Sequence, residues 1–160
     1  MARLNPSDET DTIAYAASFL VAAKRLSGPR WEDNHPLVVP FYMLIGFCLE
    51  NGFKSVLEFH QADRKLKWHN SHHLSHLRSL CADRCLFLDP EQVAFVDGLS
   101  PMHEEHHFRY PQKAGTAILL QPGVAIWMTE MILRTAFMKI GGPARVIWEP
   151  PADDLDPGEP

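Results

Sequence analysis

The segment PLVVPFYMLIGFCL (36–49) is apolar on nearly every face. A surface helix carries its apolar residues in one stripe, so a helix that is apolar all round is buried between other helices. Pro40 falls close to the start of the segment, where a missing backbone N–H is tolerated. The segment therefore predicts a central helix from about residue 35 or 36 to residue 60, around which the rest of the chain packs.

Four further segments have the periodicity of helices, and they can surround the central one. They are residues 7–28, 72–85, 89–107 and 123–140. Ser7 is a good N-cap for the first helix of the chain (7–28), and Asp89 with Gln92 forms a capping box at the start of the fourth (89–107). Leu74, Leu77 and Leu80 give the third helix (72–85) a single apolar stripe.

These segments predict an all-α protein, an up-and-down bundle of about five helices in one domain over residues 1–150. The stretches TAILL (116–120) and ARVIWE (144–149) leave room for a minor two-stranded β ribbon. Residues 151–160, PADDLDPGEP, are predicted to be an acidic, proline-rich disordered tail.

Composition narrows the class of protein and its compartment. Hydrophobic residues make up 46% and charged residues 22% of the 160, which is typical of a globular domain. No apolar run approaches the length of a membrane span, and the N-terminus lacks the apolar core of a signal peptide, so we expect a cytoplasmic protein. Because that compartment is reducing, we expect its three cysteines to be free thiols.

The charge balance disfavours one class of partner. The formal net charge is −5, and removing the four acidic residues of the tail leaves −1. A nearly neutral body lacks the basic face that tight duplex DNA binding usually needs.

Histidines are concentrated in two short stretches, KWHNSHHLSHL (67–77) and HEEHH (103–107). On a helix, residues at i and i+4 share one face, so His72 with His76 and His103 with His107 can each approach one metal ion. If the third and fourth helices pack antiparallel, these pairs meet, and Glu104 adds an oxygen ligand. The hypothesis is a zinc, nickel, iron or manganese site of a metal-dependent hydrolase. The open alternative is that these histidines are solvated and hold no cofactor.

Three local patterns, taken in order, resemble the HEPN-like helical domains. The first is Glu50-x-x-x-Lys54 on the apolar central helix, where the two side chains lie one turn apart and can neutralise each other. The second is HHLSHL (72–77), which opens the third helix, and the third is FRYP (108–111) after the fourth. The resemblance covers about residues 36–140 and implies a helical bundle that binds RNA or a nucleotide and forms a homodimer.

Catalytic HEPN-like ribonucleases carry an Arg-x4–6-His motif near the start of the last helix, and here that helix contains no histidine. Arg64 and His69 have the required spacing, but they precede the third helix. The resemblance therefore implies a non-catalytic or weakly catalytic module that binds RNA, a nucleotide or a protein partner. The candidates for phosphate contact are Arg64, Lys65, Lys67 and Arg109.

Two further expectations concern the last helix and the rival functions. The last helix is apolar on more than one face, which also favours a homodimer, and Trp127 is expected in the core. Besides the metal-dependent hydrolase, a purely structural interaction protein stays open as an alternative.

Overall fold

The computed structural model describes residues 9–28, 36–104 and 120–141. Its five helices are α1 (Glu9–Leu26), α2 (Val38–Phe59), α3 (Leu74–Ala82), α4 (Pro90–Glu104) and α5 (Pro122–Lys139). Two 3₁₀ turns, Arg64–Leu66 and Trp68–Asn70, join α2 to α3. The described ranges contain no strand, and the helices pack as a bundle, which confirms the all-α prediction. The predicted ribbon lies outside these ranges except for Leu120, which is in neither a helix nor a strand.

Helix α2 is the centre of the bundle, because it contacts each of the other four helices. Its fully buried side chains include Phe41, Ile45, Leu49, Phe53 and Leu57. The prediction of a buried central helix is therefore confirmed. The helix begins at Val38, which places Pro40 in the first turn, where its missing N–H has no intrahelical acceptor to lose.

Polar contacts attach α1 to two of its neighbours. Thr12 Oγ1 donates a hydrogen bond to Glu58 Oε2 of α2 at 2.7 Å. Lys24 forms an ion pair with Glu130 of α5. Both contacts lie at the edge of an apolar interface that includes Ala16, Leu20 and Ala23 of α1.

The ends of α3 and α4 follow from local side-chain chemistry. Helix α3 begins at Leu74 because His73 is its N-cap, and its Nδ1 accepts the N–H of His76 at 3.3 Å. Leu74 and Leu77 are fully buried, as predicted. At the start of α4 the capping box is present, with Asp89 N–H bonded to Gln92 Oε1 at 3.1 Å and Gln92 N–H to Asp89 Oδ1 at 2.8 Å.

Helix α5 has one buried and one exposed apolar face. Its buried side chains include Ala125, Met128, Ile132 and Leu133, which pack on the core. The prediction that Trp127 is a core residue is wrong, since 53% of its surface is exposed. Trp127 lies on the opposite face with the other exposed apolar residues of the helix, Val124, Met131 and Met138. The homodimer stays a prediction.

The three cysteines are free thiols, as predicted. Cys48 and Cys81 are buried, and Cys85 is exposed in a left-handed turn with a φ of 62°. Burial raises the pKa of the Cys81 thiol to about 12, and it raises the pKa of Cys48 further. Within the described ranges, no helix combines the length and the apolar character that crossing a membrane requires.

Candidate metal centre between α2, α3 and α4

Glu50 of α2 is buried, and Lys54 of the same helix, its ion-pair partner, is largely shielded from solvent. Lys54 Nζ donates to Glu50 Oε1 at 2.7 Å, as the spacing of one helical turn predicts. The side chain of Glu50 is only 7% exposed and that of Lys54 only 12%. A carboxylate removed from water in this way requires several partners to offset its lost hydration.

Two histidines supply those further partners, and both act on the second oxygen of the same carboxylate. Glu50 Oε2 lies 2.7 Å from His103 Nε2 and 3.0 Å from His72 Nδ1. His103 belongs to the last turn of α4 and is buried, whereas the His72 side chain precedes α3 and is 42% exposed. The cluster therefore reaches from the centre of the bundle to its surface.

Gly46 makes room for the buried imidazole. It lies one turn before Glu50 on the same face of α2, and a Cβ at this position would be 2.3 Å from His103 Nδ1. The next residue, Phe47, contacts the His103 ring edge to face, with centroids 5.2 Å apart. Any larger side chain at position 46 would displace His103 from the carboxylate.

The environment of Glu50 keeps its carboxylate ionised. Burial alone would raise its pKa, but hydrogen bonds from His103, Lys54 and His72, with the charge of Lys54, outweigh that effect. Together they lower the pKa of Glu50 to about 2. The site therefore presents a carboxylate anion over the whole physiological pH range.

Glu50, His72 and His103 are compatible with a metal site. One ligand atom from each residue lies within 4.8 Å of the other two. With bonds of about 2.1 Å, neighbouring ligand atoms are roughly 3.0 Å apart in an octahedron and roughly 3.4 Å apart in a tetrahedron. The 2.7 and 3.0 Å separations around Glu50 Oε2 are hydrogen-bond distances, and the longer of them also equals the octahedral value.

This cluster contains part of the predicted set of metal ligands. His72 and His103 come together across α3 and α4, but the oxygen comes from Glu50, whereas the sequence suggested Glu104. His76 is exposed and is not in the cluster. His107 lies outside the described residues.

Glu104 belongs to a second polar cluster, next to the first, that the sequence did not reveal. His73 Nε2 lies 3.5 Å from Glu104 Oε2, and His73 Nδ1 lies 3.1 Å from Ser100 Oγ. Ser100 is buried and also accepts the N–H of Ser75 at 3.1 Å. Its buried hydroxyl ties the start of α3 to the last turns of α4.

The predicted phosphate-binding residues lie on the segment that leads to His72. Arg64, Lys65 and Lys67 are exposed, and within the described ranges no hydrogen bond or ion pair engages their side-chain nitrogens. His69 is exposed and touches the Trp68 ring at its edge, with centroids 6.0 Å apart. Arg109 and the rest of FRYP lie outside the described residues.

Comparison with known proteins finds no relative of this chain. No protein-family model, curated protein or solved structure matches the chain. The resemblance to HEPN-like domains therefore stays a prediction based on its three short motifs, while the function has to be argued from the cluster around Glu50.

Proposed function

We propose that the protein is a metal-binding helical module in which Glu50, His72 and His103 hold one divalent transition metal ion. The observation that carries the proposal is the position of two imidazole nitrogens within 3.0 Å of one buried carboxylate oxygen. Three ligands from three separate elements would close the bundle around the ion. Because His72 is partly exposed, the remaining coordination positions would face solvent.

The donor set favours particular ions. Imidazole nitrogen suits zinc, nickel and iron, whereas magnesium and calcium prefer sites made of oxygen ligands. The single carboxylate is also neutralised by Lys54, which removes the excess negative charge that hard cations require. We therefore expect zinc and nickel to bind more tightly than manganese, and magnesium and calcium to bind least.

Hydrolysis is the chemistry that such a centre would serve. A divalent ion held by Glu50, His72 and His103 would lower the pKa of a bound water and so supply a nucleophile at neutral pH. On the protein side, Lys54 holds Glu50 Oε1, which leaves Oε2 for the ion and fixes the carboxylate orientation. This makes a metal-dependent hydrolase the specific form of the proposal.

The test compares two histidines of the same segment. Purified, untagged protein is dialysed against zinc, nickel, manganese or magnesium, and bound metal is measured by mass spectrometry. We expect about one zinc or nickel ion in the unaltered protein and in His76→Ala, but none in His72→Ala. His76→Ala is the matched control, because this residue is exposed and lies outside the cluster. Equal metal content in His72→Ala and the unaltered protein would refute the site.

A second candidate function is the binding of RNA or a nucleotide. It is supported by the exposed side chains of Arg64, Lys65 and Lys67, none of which forms an ion pair within the described ranges. Cations of this kind bind phosphates and release counterions from the nucleic acid. This candidate agrees with the HEPN-like resemblance and does not depend on the metal.

Its test is the salt dependence of RNA binding, followed by fluorescence anisotropy. Replacing Arg64, Lys65 and Lys67 by alanine should weaken binding and lower the salt slope by about one for each phosphate that is no longer bound. Arg25→Ala, an exposed cation on α1, is the control. An RNA affinity that does not change in the triple variant removes this candidate. Cleavage that requires Arg64 and His69 would instead identify a ribonuclease.

A further inference from the structure

We propose that His73 and Ser100 are positioning residues for the metal centre, because they hold the start of α3 in register with the last turns of α4. Together with the Ser75 N–H, these two side chains form a unit that we name the α3–α4 clamp. This inference rests on the proposed function, since the clamp matters to the metal only if the ion binds between these two helices.

Ser100 is the buried half of the clamp. Only 1% of its surface is exposed, so its hydroxyl cannot be satisfied by water and depends on partners within the protein. Its oxygen accepts the Ser75 N–H at 3.1 Å, which is one of the backbone donors left unpaired at a helix N-terminus. A side chain of α4 therefore satisfies the first turn of α3.

His73 completes the connection from the α3 side. Its Nδ1 accepts the N–H of His76 and is therefore the unprotonated nitrogen, so the Ser100 hydroxyl donates to it at 3.1 Å. The proton of the ring is then on Nε2, which lies 3.5 Å from Glu104 Oε2. The imidazole therefore hydrogen-bonds to Ser100 of α4 through Nδ1 and faces Glu104 of α4 with Nε2, while it caps α3.

The clamp residues are next to the metal ligands along both parts of the chain. His73 follows His72 directly, and Ser100 lies three residues before His103, which is nearly one turn of the same helix. A shift of α3 along α4 would break the clamp and separate the two ligand rings, whose centroids are 6.3 Å apart. Residues that orient ligands in this indirect way typically change metal affinity by about 10- to 100-fold when replaced.

Three variants separate the clamp from general stability. Ser100→Ala removes its buried hydroxyl. His73→Ala removes the imidazole, and with it the contacts of Nδ1 to Ser100 and of Nε2 to Glu104. The matched control is Arg78→Ala, which breaks the other polar link between the two helices, the ion pair of Arg78 Nε with Asp97 Oδ1 at 3.2 Å.

The first readout needs no metal. The nuclear Overhauser cross-peak between the rings of His72 and His103 should be lost in Ser100→Ala and His73→Ala but retained in Arg78→Ala. Retention of this cross-peak in both clamp variants overturns the inference. His73→Ala decides the matter if Ser100→Ala does not fold, because the His73 side chain is 45% exposed and its replacement leaves the core intact.

The second readout is zinc affinity, measured by competition with a chromogenic chelator. We expect it to fall at least about 10-fold in both clamp variants and to stay within twofold of the unaltered protein in Arg78→Ala. Equal affinities in all four proteins overturn the inference while leaving the metal site itself in place. If the unaltered protein takes up no metal, the proposed function fails, and the cross-peaks alone decide whether the clamp positions the two rings.

Discussion

The replacement of Gly46 by alanine tests the close contact between α2 and His103 most directly. In an exposed helix, this change stabilises a protein by about 0.5–1 kcal/mol, because glycine loses more backbone entropy on folding. At position 46 the new Cβ would be 2.3 Å from His103 Nδ1 and 2.9 Å from its Cε1 and Cγ. The ring cannot move outward easily, because His103 is only 4% exposed.

The net effect can be estimated from two destabilising contributions and the opposing gain in helix propensity. Overpacking a core costs about 1–3 kcal/mol. A displaced His103 also weakens its hydrogen bond to the Glu50 carboxylate, and bonds to charged groups contribute about 1.5–3 kcal/mol. After the gain in helix propensity is subtracted, Gly46→Ala should lower the free energy of unfolding by about 2–4 kcal/mol. For a chain of this length the melting temperature should fall by roughly 5–15 °C.

The same change in α4 provides the control. Gly98 is exposed, and a Cβ there meets no atom within 4 Å, so Gly98→Ala should be stabilising by about 0.5–1 kcal/mol. Both variants are unfolded in urea and followed by far-UV circular dichroism. If Gly46→Ala is as stable as Gly98→Ala, the close packing of His103 on α2 is wrong, and the geometry proposed for the metal centre is wrong with it.

Two further outcomes test the described structure away from the metal centre. Asp89→Ala should lower the free energy of unfolding by about 0.5–2 kcal/mol through loss of the α4 cap, measured by urea denaturation, and an unchanged midpoint would contradict the capping box. A brief alkylation at neutral pH should modify Cys85 alone, because Cys48 and Cys81 are buried and their thiol pKa values are raised. Peptide mass spectrometry identifies the modified cysteine, and rapid labelling of Cys81 in folded protein would show that its burial is wrong.

Patterns confined to one helix could be predicted well from the sequence. The buried α2, the inward leucines of α3 and the capping box of α4 all depend on residues within a few positions of each other. Local spacing and the chemistry of helix ends decide such features. The pairing of Glu50 with Lys54 follows from the same rule.

The partners across helices could be predicted only in part. The sequence suggested that His72 and His103 meet, but the pattern did not show that they meet at Glu50, which is 22 and 53 residues away from them. That contact depends on how far α3 and α4 are rotated about their own axes, and apolar periodicity determines this only within a broad stripe. Gly46 was the residue that could have revealed this contact. Its missing side chain leaves space on α2 for another ring, one turn before the Glu50 carboxylate.

The wrong prediction that Trp127 is a core residue has a related cause. Helix α5 carries large apolar residues on two faces, so periodicity alone does not identify which face is buried. In the structure the buried face of α5 contains the small residues Ala125 and Ala136, and Leu133 of the same face fills the space above Gly52 of α2. Small residues were the better guide to the packed face than large ones.

The central position of α2 limits how a chain of this kind can change its length. Gly46 and Glu50 face His103, while Gly52 faces Leu133 on another side of the same helix. One residue inserted between positions 46 and 50 would rotate the rest of α2 by about 100° about the helix axis. Gly46 and Gly52 could then no longer face His103 and Leu133 at the same time. We therefore expect insertions to be accepted in the segments that join the helices, and a single inserted residue within α2 to abolish folding and ligand geometry together.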